Sequence, residues 1–190
     1  LIIDVLTELS GRISFAVRVP KTAKGKLKRQ YFQPMTLLDM EYEWRERNTL
    51  QNMKDVRIAL PYTSIPFEPV KSTMLLFLAE FLYYVTRDEQ QNATLFNYIY
   101  NSLEWLDNSE KDYANFHLVF MIRWGKFLGF QPYLEEYTQG AYFDLRNGCF
   151  TSSLPFHADY LPQKESEQMY TLMRMTFDTM KVFKLSHNER

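Results

Sequence analysis

Residues 61–85 read PYTSIPFEPVKSTMLLFLAEFLYYV, and the change of rhythm inside this stretch decides the fold class. Pro61, Pro66 and Pro69 cannot continue a central strand and sit poorly inside a helix. Beyond them Met74, Phe77, Leu78, Phe81, Leu82 and Val85 follow helical i, i+3, i+4 spacing, while Leu75, Leu76, Tyr83 and Tyr84 add apolar surface on the other sides. A helix apolar nearly all round predicts a buried central element. A boundary is therefore expected here, with one domain over 1–62 and a helical one over 63–190.

Before the boundary the rhythm has period two. Ile13, Phe15, Val17 and Val19 alternate with Ser14, Ala16 and Arg18, and Met40, Tyr42 and Trp44 alternate with acidic and basic neighbours. That is the mark of half-buried strands, with Ser10-Gly11 supplying a turn. Pro20 to Gln30 holds Gly25 and one large apolar residue, Leu27, and is expected to be an exposed, mobile loop. Short strands with short connections suggest a small antiparallel barrel or sandwich.

After the boundary, Asn92 can cap a helix carrying Leu95, Ile99, Leu103 and Leu106, which Asp107-Asn108 ends. Phe116, Val119, Phe120, Trp124 and Phe127 make a third helix, stopped by Gly129 and Pro132. Residues 130–163 read as irregular, and a last helix is expected from about Glu165 to Leu185. The overall expectation is α+β: a strand-rich first part and an all-helical second part.

Composition narrows the function. The 190 residues are 46% hydrophobic and 24% charged, which is globular, and aromatic content of 16% supports well-filled cores. A single cysteine, Cys149, excludes an internal disulfide and points to a reducing compartment, the cytoplasm by default. The longest apolar run, Met74 to Val85, is broken by Glu80 and is too short for a membrane span of about 20 residues. No secretory leader is expected from the opening residues.

Catalytic signatures are missing. Gly25-Lys26 lacks the spacing of a phosphate-binding loop, and no nucleophile elbow or His-Glu-x-x-His helix occurs. His117, His157 and His187 are scattered, and Cys149 with His157 is the only conceivable ligand pair, so neither metal nor cofactor is expected. Glu135-Glu136 reads as solvated charge. An enzyme is not expected.

Charge is unevenly spread. Residues 1–30 carry seven basic residues against two acidic ones, +5, leaving −6 for the rest of a chain whose formal net charge is −1. Lys21, Lys24, Lys26, Lys28 and Arg29 recur with small residues between them, and a loop of that kind can follow a phosphate backbone without fixing a sequence register. A solvated loop would carry the same residues. Tyr31 and Phe32 follow at once and could offer stacking surfaces beside it. The candidate nucleic-acid set is Arg18, Lys21, Lys24, Lys26, Lys28 and Arg29, with Tyr31 for stacking and Arg45 and Arg47 as an extension.

The order of local features resembles the RecO recombination-mediator family: Glu8-x-Ser10-Gly11-Arg12, a strand and basic loop, then Phe32-Gln33-Pro34-Met35. Ala79-Glu80-Phe81-Leu82, Asn115-Phe116-His117-Leu118, Leu128-Gly129-Phe130-Gln131-Pro132 and Ala141-Tyr142-Phe143-Asp144 continue the likeness over nearly the whole chain. The resemblance implies an N-terminal OB-fold-like small barrel lacking its first strand, joined to a helical domain cut short after Arg190. It also implies binding and annealing of single- and double-stranded DNA, and work with RecR and the single-strand-binding protein to load RecA, in a cytoplasmic, nucleoid-associated setting.

Many relatives carry a four-cysteine zinc site after the Gly-x-x-Pro turn, whereas Tyr137 stands where its first cysteine would fall. The metal is thus expected to be absent, with Tyr133, Tyr137, Tyr142, Phe143 and Phe150 packing in its place. Met169, Met173, Met175 and Met180 either adapt to a partner or fill a core gap. A structural adaptor that binds only proteins is the alternative reading of the whole chain.

Overall fold

The computed structural model describes residues 1–19, 28–130 and 132–182. They form two compact units, Leu1–Ser109 and Glu110–Arg190.

The first unit opens with β1 (Ile2–Thr7) and β2 (Gly11–Ala16), followed by β3 (Leu38–Glu43) and β4 (Gln51–Ile58). Their order in the sheet is β1-β2-β4-β3. β1 pairs antiparallel with β2, placing Ile3 opposite Phe15, and β3 pairs antiparallel with β4 with a register shift between Glu41 and Tyr42. β2 and β4 run parallel through Phe15↔Gln51 and Ala16↔Asn52. The alternation expected in β2 holds: Ile13, Phe15 and Val17 are buried, and Ile3, Val5, Phe32, Met40, Tyr42 and Met53 pack on them. The α+β expectation holds; among the described residues the sheet stays open, since β1 and β3 are not paired, and closure into a barrel is not shown.

Helix α1 spans Pro69–Val85 and α2 spans Ala93–Asn108. Pro69 stands in the first turn of α1, where a missing N–H costs nothing. Only Lys71, Leu75, Leu78 and Leu82 of α1 are buried, while Val70, Leu76, Phe77, Tyr83 and Tyr84 are exposed. The expected all-round burial is thus wrong: one stripe is buried and the other faces solvent. In α2 the expectation holds. The Leu95 amide donates to the Asn92 side chain at 3.0 Å, and Leu95, Ile99, Leu103 and Leu106 are buried.

Although the sheet ends at Ile58, both helices belong to the same compact unit as the strands. Arg12 reaches from β2 to the Tyr83 carbonyl, lies 4.5 Å over the Tyr83 ring, and donates its own backbone N–H to Glu89 O at 3.0 Å. Gly11, at φ +68°, permits this approach, because a Cβ there would sit 2.3 Å from Glu89 O.

In the second unit α3 spans Phe116–Gly125 and α4 spans Gln163–Arg174. Between them, in place of the irregular stretch expected within an all-helical domain, the chain forms a small sheet, β5 (Tyr142–Asp144), β6 (Cys149–Thr151) and β7 (Tyr160–Leu161), in the order β6-β5-β7. Phe143, Phe150 and Ala141 form its core with Tyr137, Met169, Tyr170 and Met173 against them. Tyr137 stacks on Tyr170 at 4.0 Å, and Tyr142 meets Tyr160 edge-on, but Tyr133 is exposed and takes no part. Met175 and Met180 are buried, so these methionines fill a core. α4 ends a decade earlier than expected because Met175 turns extended and Thr176 and Thr179 bond one another's backbone amides. Among the described residues no helix is long and apolar enough to cross a membrane.

Candidate nucleic-acid interface

Lys21, Lys24 and Lys26 lie outside the described residues. The remaining candidates occupy three places in the first unit. Arg18 lies two residues past the end of β2, just beyond Val17, whose backbone N–H and C=O bond Leu1 at 2.8 and 3.0 Å. Lys28 and Arg29 open a 3-10 turn, Arg29–Phe32, closed by the Tyr31 amide on Lys28 O at 3.0 Å. Phe32 anchors that turn on the sheet core, which leaves the two cations outside.

Tyr31 is half-buried. Its side of the turn lines a cleft of about 420 Å³ shared with β1, α1 and α2, so it faces apolar neighbours as well as solvent. Arg45 and Arg47 stand on the tip between β3 and β4, both exposed. Arg45 approaches Glu43 at 3.5 Å, and Lys54 shares the same carboxylate at 3.6 Å. All three side chains are at least half exposed, and pairs of this kind hold their partners weakly. Among the described residues no carboxylate lies within ion-pair distance of Arg18, Lys28, Arg29 or Arg47.

The outward face of β3 and β4 has the opposite sign. Asp39, Glu41, Glu43 and Asp55 outnumber Lys54 and Arg57 there, and Arg57 is held by Asp39 at 2.9 Å. A polyanion is repelled from that face.

Sequence reasoning did not find Gln51. Its side chain is 2% exposed, accepts the Arg45 amide at 2.9 Å, and donates to the carbonyls of Arg45 at 3.0 Å and Asn48 at 2.8 Å. A buried polar residue at a strand start is the only signal it leaves, and burial is not readable from one sequence.

In the second unit Asp144 organises the β5–β6 turn. It accepts from the amides of Arg146 and Asn147 and from the Asn147 side chain, and lies 3.3 Å from His157 Nε2. The Asn147 amide, foremost among these, holds its pKa down to about 2 against the effect of burial. Cys149 pairs with Asp144 across the strands, and burial followed by the Asp144 charge pushes its thiol up. Among the described residues no three His, Cys, Asp or Glu side chains gather as a metal site.

Two family models cover the chain almost end to end: "Recombination protein O N terminal" over residues 1–62 and "Recombination protein O C terminal" over 66–190. Among curated proteins, the DNA repair protein RecO of Bacteroides fragilis is 44% identical over 190 residues, matching 100% of this chain and 78% of its own length. That of Phocaeicola vulgatus is 40% identical over 189 residues, with 100% and 78% covered. That of Porphyromonas gingivalis is 31% identical over 187 residues, with 95% and 76% covered. With both halves matched in order and likeness at this level over nearly all of this chain, the chain belongs to the recombination protein O family.

Proposed function

We propose that this chain is a DNA-binding accessory factor of repair and recombination that grips nucleic-acid backbones and performs no chemistry of its own. The observation that carries the reading is the set of exposed cations without carboxylate partners among the described residues, Arg18, Lys28, Arg29 and Arg47, on a unit whose β3–β4 face is acidic. Phosphate contacts of this kind neutralise charge without reading bases. Two strands held so repel each other less while their base edges remain free to pair, which is the physical content of annealing. In the cell the chain would work in the cytoplasm on nucleoid DNA, with RecR and the single-strand-binding protein, to load RecA.

The test is the affinity of the chain for mixed-sequence single- and double-stranded oligonucleotides, measured by anisotropy across a salt series. If about five phosphates of a single strand are contacted, log K falls against log salt with a slope of roughly −3.5. A flat response removes the reading. A protein-only adaptor is the second reading, favoured by the exposed apolar residues Leu76, Phe77 and Tyr84 of α1. It predicts no oligonucleotide binding at low salt.

A further inference from the structure

The Gln51 side chain does for the β3–β4 tip what a ladder of backbone bonds does for a strand. Its amide engages both the N–H and the C=O of Arg45 and also the Asn48 carbonyl, while Asn48 N–H bonds Arg45 O at 3.0 Å. Four bonds thus determine the main chain from 45 to 48. The same residue begins β4 and is paired in parallel register with Phe15, which is fully buried, and Ala16 pairs with Asn52. Arg18 lies two residues beyond Ala16 on that strand. One buried residue therefore ties the tip bearing Arg45 and Arg47, through its side chain, to the strand pair that leads to Arg18, through its backbone.

We infer that Gln51 is a positioning residue of the nucleic-acid face: it holds Arg45 and Arg47 in place relative to Arg18, so that a phosphodiester strand meets cations already set. The inference rests on the DNA-binding reading above. Its mechanism is preorganisation. A tip freed of these bonds must be ordered when DNA binds, and immobilising side chains and loop costs affinity without removing any charge.

The experiment is a double-mutant cycle on the whole chain, with single-strand affinity and its salt slope as readouts and a circular-dichroism melt to show that each variant is folded. Gln51→Leu is expected to weaken binding by roughly tenfold, and R45A/R47A to weaken it and make the slope shallower. The decisive result is that Gln51→Leu has no further effect in the R45A/R47A background, because a residue acting through those arginines has nothing left to position. An equal loss in both backgrounds overturns the inference, as does full affinity of folded Gln51→Leu beside weakened R45A/R47A; in either case DNA binding itself stands. Full affinity of R45A/R47A also overturns it, and the salt slope of the parent then judges the DNA reading separately. Should Gln51→Leu fail to fold, Gln51→Asn carries the same cycle, since its amide adds no charge and is one methylene too short to span the bonds to Arg45 and Asn48.

Discussion

The carboxylate of Asp107 accepts the backbone amide of Ile65 at 2.9 Å across a sequence separation of 42 residues. The same carboxylate takes the Thr63 amide at 2.7 Å, the Thr63 hydroxyl at 2.9 Å and the Ser64 amide at 2.9 Å. The stretch between sheet and helices is thereby pinned to the end of α2. Burial pushes the acid up, but the amides of Ile65, Thr63 and Ser64 outweigh it and bring its pKa from 3.8 to about 2. A folded-state value below the unfolded one stabilises fully above about pH 4, and that stability is lost as pH falls towards 2; it amounts to roughly 2 kcal/mol. Asp107→Asn should lower stability at pH 7 by about that amount and flatten its dependence on pH between 4 and 2, as read by urea titrations. A variant whose stability falls with acid in parallel with the parent would refute this.

Lys71 completes the same knot. It is 1% exposed, and Nζ donates to Ser64 Oγ at 2.6 Å and to the carbonyls of Ser109 at 2.5 Å and Asp107 at 3.3 Å. Burial lowers its pKa, while Asp107 and Glu68 oppose the shift. Lys71→Met keeps the apolar stem and leaves those acceptors without their donor, so a loss of about 1–3 kcal/mol is expected in chemical denaturation. An unchanged midpoint would show that water replaces the ammonium at no cost.

Gly11→Ala tests the seat of the β1–β2 turn. The added Cβ would meet Glu89 O at 2.3 Å and Gln90 C at 2.5 Å, both backbone atoms, at a φ of +68° that disfavours alanine. Moving the turn away breaks the Arg12 amide bond to Glu89 as well. The melting curve should report a loss of about 2–4 kcal/mol; a neutral result would mean the turn does not rest on the α1–α2 connection.

Cys149 should react slowly. Its thiol is pushed above its ordinary 9.0 by burial first, then by the charges of Asp144 and Glu136, and only the thiolate is nucleophilic. Alkylation at pH 8 is expected to lag that of an unstructured cysteine peptide. Equal rates would contradict the assigned surroundings.

Arg18, Lys28 and Arg29 are exposed and make no ion pair among the described residues, so replacing all three with alanine should leave stability within about 0.5 kcal/mol per site. Single-strand affinity should fall, and the salt slope should become shallower by about 2, at roughly 0.7 for each lost phosphate contact. Filter binding at several salt concentrations measures both; unchanged slope removes these three from the interface.

What could be read in advance follows from the range of the physics. The Asn92 cap, the stripe of α2 and the alternation of β2 are local patterns, and they fold as the spacing says. β5, β6 and β7 are three, three and two residues long, too short for any period to show. The exposed stripe of α1 was illegible because Phe77 and Leu78 are equally apolar on paper, and only packing tells them apart. At the candidate site the charges were visible, but not which of them have partners. Gln51 depended on the parallel meeting of Phe15 with a residue far along the chain, a tertiary event that leaves no local trace.

The Asp107 and Lys71 knot also sets an order of events during translation. Thr63, Ser64 and Ile65 leave the ribosome well before the carboxylate that receives their amides, and the Lys71 ammonium emerges before the Ser109 carbonyl it serves. Until α2 has been synthesised to its end, the junction behind the sheet stays untied. Once Ser109 is out, Thr63, Ser64, Ile65, Lys71, Asp107 and Ser109 are all present, and these bonds can form while the remainder is still being made.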